Sequence, residues 1–71
     1  MDKTEELIRE YRQTAQEKGY DAVRAEALLA LACSPEAEAL YGSLEAAVSA
    51  LLRLCRECGS DAECFERYRI R

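Results

Sequence analysis

Apolar residues recur at the spacing of an α-helix along most of this chain of 71 residues. Residues three and four positions apart share one face of a helix, and such a series predicts an amphipathic helix. The strong helix formers Ala, Glu, Leu and Arg dominate the composition, whereas β-branched residues, which favour strands, are few. The sequence therefore predicts an all-α fold in one domain that spans residues 1–71.

Capping residues divide the periodic pattern into separate helices. We predict a first helix over 3–18 and a second over 22–33. At Ser34-Pro35-Glu36 a new helix begins, because Ser is a good N-cap and Pro suits the first helical position. A last helix over 61–68 follows a capping box that runs from Ser to Glu. These elements predict a compact bundle of four to five short helices.

The periodicity also assigns a buried face to each helix. In the second helix the predicted apolar stripe comprises Val23, Ala27, Leu28, Leu31 and Ala32. In the last helix the side chains expected to face inward are those of Cys64, Phe65 and Tyr68.

The segment from 35 to 58 admits two interpretations. Its apolar residues keep helical phase throughout, which favours one helix about 36 Å long. However, Gly42-Ser43 has the form of a glycine that ends one helix and a serine that caps the next. A glycine inside a helix costs about 1 kcal/mol relative to alanine. We therefore predict a break or kink near Gly42-Ser43.

The four cysteines are the unusual chemistry of the chain. An even number in a small domain favours structural disulfides, and four cysteines allow three pairings. Zinc binding is a second interpretation, since the C-x₂-C spacing suits a pair of ligands. Free buried thiols or a redox pair are the third. The four residues are Cys33, Cys55, Cys58 and Cys64.

Helix geometry favours one disulfide pairing. Cys55 and Cys64 lie symmetrically about a turn at 59–60, so a Cys55–Cys64 bond is expected there, which leaves Cys33–Cys58. One straight helix over 35–58 would place these last two about 30 Å apart, beyond the roughly 7 Å that a disulfide permits. A Cys33 disulfide therefore requires the break near Gly42-Ser43.

Several classes of function are disfavoured. The chain has no histidine, so it lacks an imidazole base or ligand, and we expect no enzyme activity and no cofactor. The net charge of −4 argues against nucleic-acid binding. No apolar run approaches the roughly 20 residues of a membrane span, and the acidic first 20 residues do not resemble a signal peptide. We expect a soluble monomer.

A protein partner is the remaining binding class. The basic and apolar tail is the candidate patch, because Tyr and Arg are enriched in binding hot spots. It comprises Arg67, Tyr68, Arg69, Ile70 and Arg71.

The chain resembles de novo designed helical miniproteins. The resemblance rests on the segment Ser34-Pro35-Glu36-Ala37-Glu38-Ala39-Leu40, the Gly-Ser helix breaks, the capping box, and the lack of His, Trp and Asn. Tyr20 in a loop and the four cysteines depart from that style. The resemblance implies a structural scaffold or protein-binding miniprotein without catalysis, stapled by two disulfides. The alternative is a natural intracellular helical module that binds zinc through Cys33, Cys55, Cys58 and Cys64.

Overall fold

Five α-helices and no strand make up the part of the chain that the computed structural model describes, residues 2–68. The helices are α1 (Lys3–Glu17), α2 (Ala22–Ala32), α3 (Pro35–Tyr41), α4 (Leu44–Glu57) and α5 (Asp61–Arg67). The all-α bundle predicted from the sequence is confirmed, and the predicted helices agree with these bounds to within one residue at each end. Among the described helices, none has the length and apolar content that a membrane span requires.

Every described helix begins with a side chain that caps its N-terminus. The side-chain oxygen of each cap accepts a hydrogen bond from a backbone N–H of the first turn, which would otherwise lack a partner. The caps are Asp2, Asp21, Ser34, Ser43 and Ser60. Because these caps are readable in the sequence, the helix starts were predictable.

The predicted break near Gly42-Ser43 is present. Gly42 has a φ of 96°, in the left-handed region, and its N–H donates to the carbonyl of Glu38 to close α3. Ser43 then caps α4 by accepting a hydrogen bond from the N–H of Ala46 at 3.0 Å. The continuous apolar phase does not correspond to one buried face, because α3 leaves Leu40 58% exposed and packs Tyr41 against the core that α4 fills.

Helix α4 is the centre of the bundle and packs against each of the other four described helices. Its buried residues are Ala47, Val48, Leu51, Leu52 and Cys55. Three tyrosines complete the core, and each hydroxyl donates to a backbone carbonyl. Tyr11 donates to Ala25 at 2.7 Å and Tyr68 to Ala47 at 2.8 Å, while Tyr20 reaches the end of α4. The tyrosines therefore fill the core and satisfy their own polar groups.

Candidate functional site

Three fully buried thiols flank the turn from α4 to α5. Cys55 is in the last turn of α4, Cys58 is its C-cap, and Cys64 is in α5. Both Cys58 and Cys55 act electrostatically on the thiol of Cys64, and the effect of Cys58 is the larger. Arg67 donates from Nη1 to the sulfur of Cys58 at 3.6 Å. We refer to Cys55, Cys58 and Cys64 as the thiol cluster.

Burial controls the ionisation of Cys55 and Cys64. Burial first, and then the neighbouring thiols with Cys58 ahead of Cys55, raise the pKa of Cys64 to about 12. Burial also raises the pKa of Cys55, although the Tyr20 hydroxyl and the Lys18 ammonium act in the opposite direction. Cys55 and Cys64 are therefore neutral at pH 7 and pack as small apolar groups.

The two predicted disulfides are not formed, because all four cysteines are free thiols. Cys33 ends α2, where its exposed side chain lines a surface depression with Arg12 and other residues of α1. Cys58, its predicted partner, is fully buried beside Arg67. The break at Gly42-Ser43 and the Cys33 bond were expected to occur together. The break occurs without the bond because the left-handed glycine and the serine cap suffice to end α3 and begin α4.

The geometry also gives no support to a four-cysteine zinc site. Across the described residues, no group of three or more His, Cys, Asp or Glu side chains is arranged to hold a metal ion. Cys33 is exposed, whereas the other three cysteines are buried.

The C-terminus of α4 is capped by a side chain from a distant loop. The ammonium of Lys18 donates to the carbonyls of Cys55 at 2.7 Å, Arg56 at 2.6 Å and Cys58 at 2.8 Å. The hydroxyl of Tyr20 reaches two of the same carbonyls, Cys55 at 3.2 Å and Cys58 at 2.9 Å. Helices α1 and α3 are each followed by a glycine with positive φ, Gly19 and Gly42. Gly59, which follows α4, has no positive φ. A cation at this position also opposes the negative end of the helix dipole, so Lys18 replaces the glycine cap.

The patch predicted in the tail is only partly available as a surface. Tyr68 is buried, donates to Ala47, and stacks on Tyr41 with ring centroids 5.7 Å apart. Arg67 pairs with Glu57 and Glu63, each at 3.5 Å. The remaining members, Arg69, Ile70 and Arg71, lie outside the described residues.

Helix α2 instead presents an exposed apolar face. The predicted stripe was wrong in register, because the residues that α2 buries are Ala25, Leu28, Leu29 and Ala32. The opposite side leaves Val23 80% exposed and Leu31 39% exposed, with Ala27 and Ala30 exposed between them. Helices that are apolar on all sides are usually buried. In α2, however, the bundle buries only one of the two apolar sides.

Phe65 of α5 is a further exposed apolar side chain, and it lies beside the N-terminal part of α2. Its ring was predicted to face inward, but it is 38% exposed and lines a shallow depression with Arg24 of α2 and with Glu66. Arg24 holds the two helices together through an ion pair with Asp61 at 3.0 Å. We define the α2 face as Val23, Ala27, Ala30, Leu31 and Phe65.

Three acidic groups of α3 and α5 form no ion pair among the described residues. The ion pairs within residues 2–68 engage Arg12, Arg24, Arg56 and Arg67, and Lys18 is engaged by carbonyls. In this part of the chain, no salt bridge includes Glu66 beside Phe65, or Glu36 and Glu38 in the first turn of α3. Glu66 and Arg24 therefore both lie beside Phe65, and of these two only Arg24 forms an ion pair.

The sequence contained one signal for this surface. The second helix, Ala22–Ala32, has apolar residues on all sides, and charged residues only at Arg24 and Glu26. Such a segment has more apolar surface than one contact with the bundle can cover, but the sequence does not show which side stays exposed. No family model, no curated protein and no solved structure matches the chain.

Proposed function

We propose that this chain is a non-catalytic helical module that binds a basic amphipathic helix of a partner protein on its α2 face. The observation that supports the proposal most directly is the exposure of Val23, Leu31 and Phe65 on neighbouring helices. Apolar surface that a small domain leaves open beside polar residues is typical of protein-binding sites. The resemblance to designed miniproteins agrees with a binding or scaffold role.

The shape of the surface favours a helix as the bound element. The exposed side chains of Val23, Ala27, Ala30 and Leu31 follow the axis of α2 over nine residues, a length of about 12 Å from the first to the last. The small side chains of Ala27 and Ala30 between the larger ones let a second helix approach closely, as in ridges-into-grooves packing. An apolar helix face laid on such a surface is a common mode of peptide recognition.

The charges favour a basic partner. Glu66 lies beside Phe65, Glu36 and Glu38 are in the first turn of the helix that follows α2, and the chain has a net charge of −4. Lysine or arginine residues on either side of the partner's apolar face would lie near these carboxylates. Opposite charges at the rim of an interface mainly set the association rate and the choice of partner.

A binding role also fits the interior of the domain. Among the described residues, no Asp, Glu, Lys or Arg side chain is buried. The polar groups of the core are tyrosine hydroxyls that already donate to carbonyls. We therefore propose no general acid or base for catalysis among these core groups.

The test uses a synthetic helical peptide with leucines on one face and lysines beside them. Its fluorescence anisotropy is measured with the parent protein and with a Val23→Gln/Leu31→Gln double variant. Burying an exposed Val or Leu contributes about 1.5–3 kcal/mol when complete. Because both side chains would be partly buried, we expect a loss of about 2 kcal/mol, roughly thirtyfold in Kd.

The matched control is Leu40→Gln, which removes an apolar side chain of 58% exposure on α3, outside the α2 face. Its Kd should stay within about twofold of the parent value, and a peptide with glutamates in place of the lysines should bind more weakly. Equal loss in Leu40→Gln and in the double variant would overturn the proposal. A parent protein that self-associates through Val23 and Leu31 would assign the surface to a second copy instead.

A further inference from the structure

Cys58 and Cys64 flank the turn at Gly59-Ser60, and both are fully buried. Arg67 follows Cys64 by three residues on α5, so the two side chains share one face of that helix. Arg67 donates to the sulfur of Cys58 at 3.6 Å, which places this face of α5 against Cys58. Cys58 also has an extended backbone as the C-cap of α4, whereas Cys55 is held within the helix. The pair that can approach most easily is therefore Cys58 with Cys64.

We propose that Cys58 and Cys64 are a redox pair that a small disulfide such as oxidised glutathione converts to an intramolecular disulfide. The thiolate of Cys58 attacks one sulfur of the oxidant, breaks its S–S bond and releases one thiolate, which takes up the proton that Cys58 lost. The thiol of Cys64 then gives its proton to solvent and attacks the sulfur of Cys58, which releases the second small thiol. Two protein thiols are oxidised and one small disulfide is reduced to two thiols.

The surroundings assign the first attack to Cys58. The guanidinium of Arg67 lies 3.6 Å from its sulfur, where it can stabilise the thiolate that forms. Cys64 is a neutral thiol because burial raises its pKa to about 12, so it suits the second, resolving role. Arg67 is thus a positioning residue that acts through Cys58.

Access to the pair depends on α5. Since both sulfurs are fully buried, the oxidant can reach Cys58 only when α5 moves away from α4. Helix α5 has only seven residues, and short segments with few buried contacts open more readily than the core. The exposed thiol of Cys33 should react before the pair does.

A tryptic map identifies the bond directly. Cys33→Ser protein is treated with oxidised glutathione, the remaining thiols are blocked, and the protein is digested. Cleavage after Arg56 and Arg67 places Cys58 and Cys64 in one peptide, 57–67, while Cys55 lies in 54–56. The expected product is peptide 57–67, lighter by two hydrogen atoms and without a blocking group. Linkage of 54–56 to 57–67, or a lasting glutathione adduct on Cys58, would overturn the proposal.

The role of Arg67 is tested by the rate of this oxidation. We expect Arg67→Gln to slow it on the order of tenfold, as a charge-assisted hydrogen bond to the reacting sulfur is lost. Arg67→Lys should restore part of the rate, and Arg53→Gln, an exposed change on α4, should leave it unchanged. If Arg67→Gln oxidises as fast as the parent, the assignment of Cys58 as the attacking thiol is wrong. A purely structural role for Arg67 predicts faster oxidation, because α5 would open more often.

Discussion

Replacing Lys18 by methionine removes the cap of α4 while keeping most of the aliphatic length of the side chain. The ammonium makes three hydrogen bonds of 2.6 to 2.8 Å to carbonyls at the end of this central helix. A hydrogen bond contributes about 1 kcal/mol net, and more when the donor is charged. Because the side chain is exposed and Tyr20 keeps its bonds to two of the carbonyls, we take the lower value for each bond. The expected loss is about 2–3 kcal/mol.

Urea unfolding followed by far-UV circular dichroism measures this loss. In a domain of this size it corresponds to a fall in Tm of roughly 10–20 °C. The matched control is Lys3→Met, the same substitution at an exposed residue at the start of α1, where we expect a change within about 0.5 kcal/mol. Equal stability of the two variants would refute the conclusion that Lys18 stabilises the end of α4.

Three further predictions test other parts of the fold. Gly42→Ala should lower the free energy of unfolding by about 1 kcal/mol because φ is 96° there, whereas Gly59→Ala, with no positive φ and open space around it, should be nearly neutral in the same denaturation assay. A thiol reagent added to native protein should modify Cys33 rapidly and the thiol cluster slowly, and equal rates for all four thiols would contradict the described burial. Hydrogen bonds from the N–H of Asp21 and from Arg24 lower the pKa of Asp61. The stability that Asp61 contributes is therefore complete above its unfolded pKa of about 4 and is lost as the pH falls through its lower folded pKa. Acid titration of Asp61→Asn should show a weaker decline, and an unchanged decline would exclude this contribution.

The helices were predictable because their signals are local. Ser34-Pro35, Gly42-Ser43 and the capping box at Ser60 each satisfy or end a helix through contacts within a few residues. A sequence pattern records such contacts directly, so the boundaries agree with the structure. The break near Gly42-Ser43 followed from the same local chemistry.

The exposed face of α2 was not predictable in this way. A helix with apolar residues on all sides has no single favoured face, so the choice between Leu28 and Val23 depends on how α2 packs on α4. The predicted stripe included both residues, and only Leu28 is buried.

The Lys18 cap and the thiol cluster also depend on distant parts of the chain. Lys18 lies 37 residues from Cys55 in sequence, and nothing near either residue indicates that they meet. Its position as the C-cap of α1 is one where basic residues are common, so the sequence gives no sign of a second role. The disulfide prediction likewise assumed that Cys33 comes close to Cys58, whereas the fold leaves Cys33 on the surface.

The central claim is that the α2 face binds a basic amphipathic helix. Backbone amide NMR spectra of the protein, recorded as the lysine-flanked peptide is added, test it residue by residue. The account predicts that the largest shifts cluster at Val23, Ala27, Ala30, Leu31 and Phe65. Shifts that are confined to α1, or that spread evenly over the acidic surface without a maximum at α2, would contradict it.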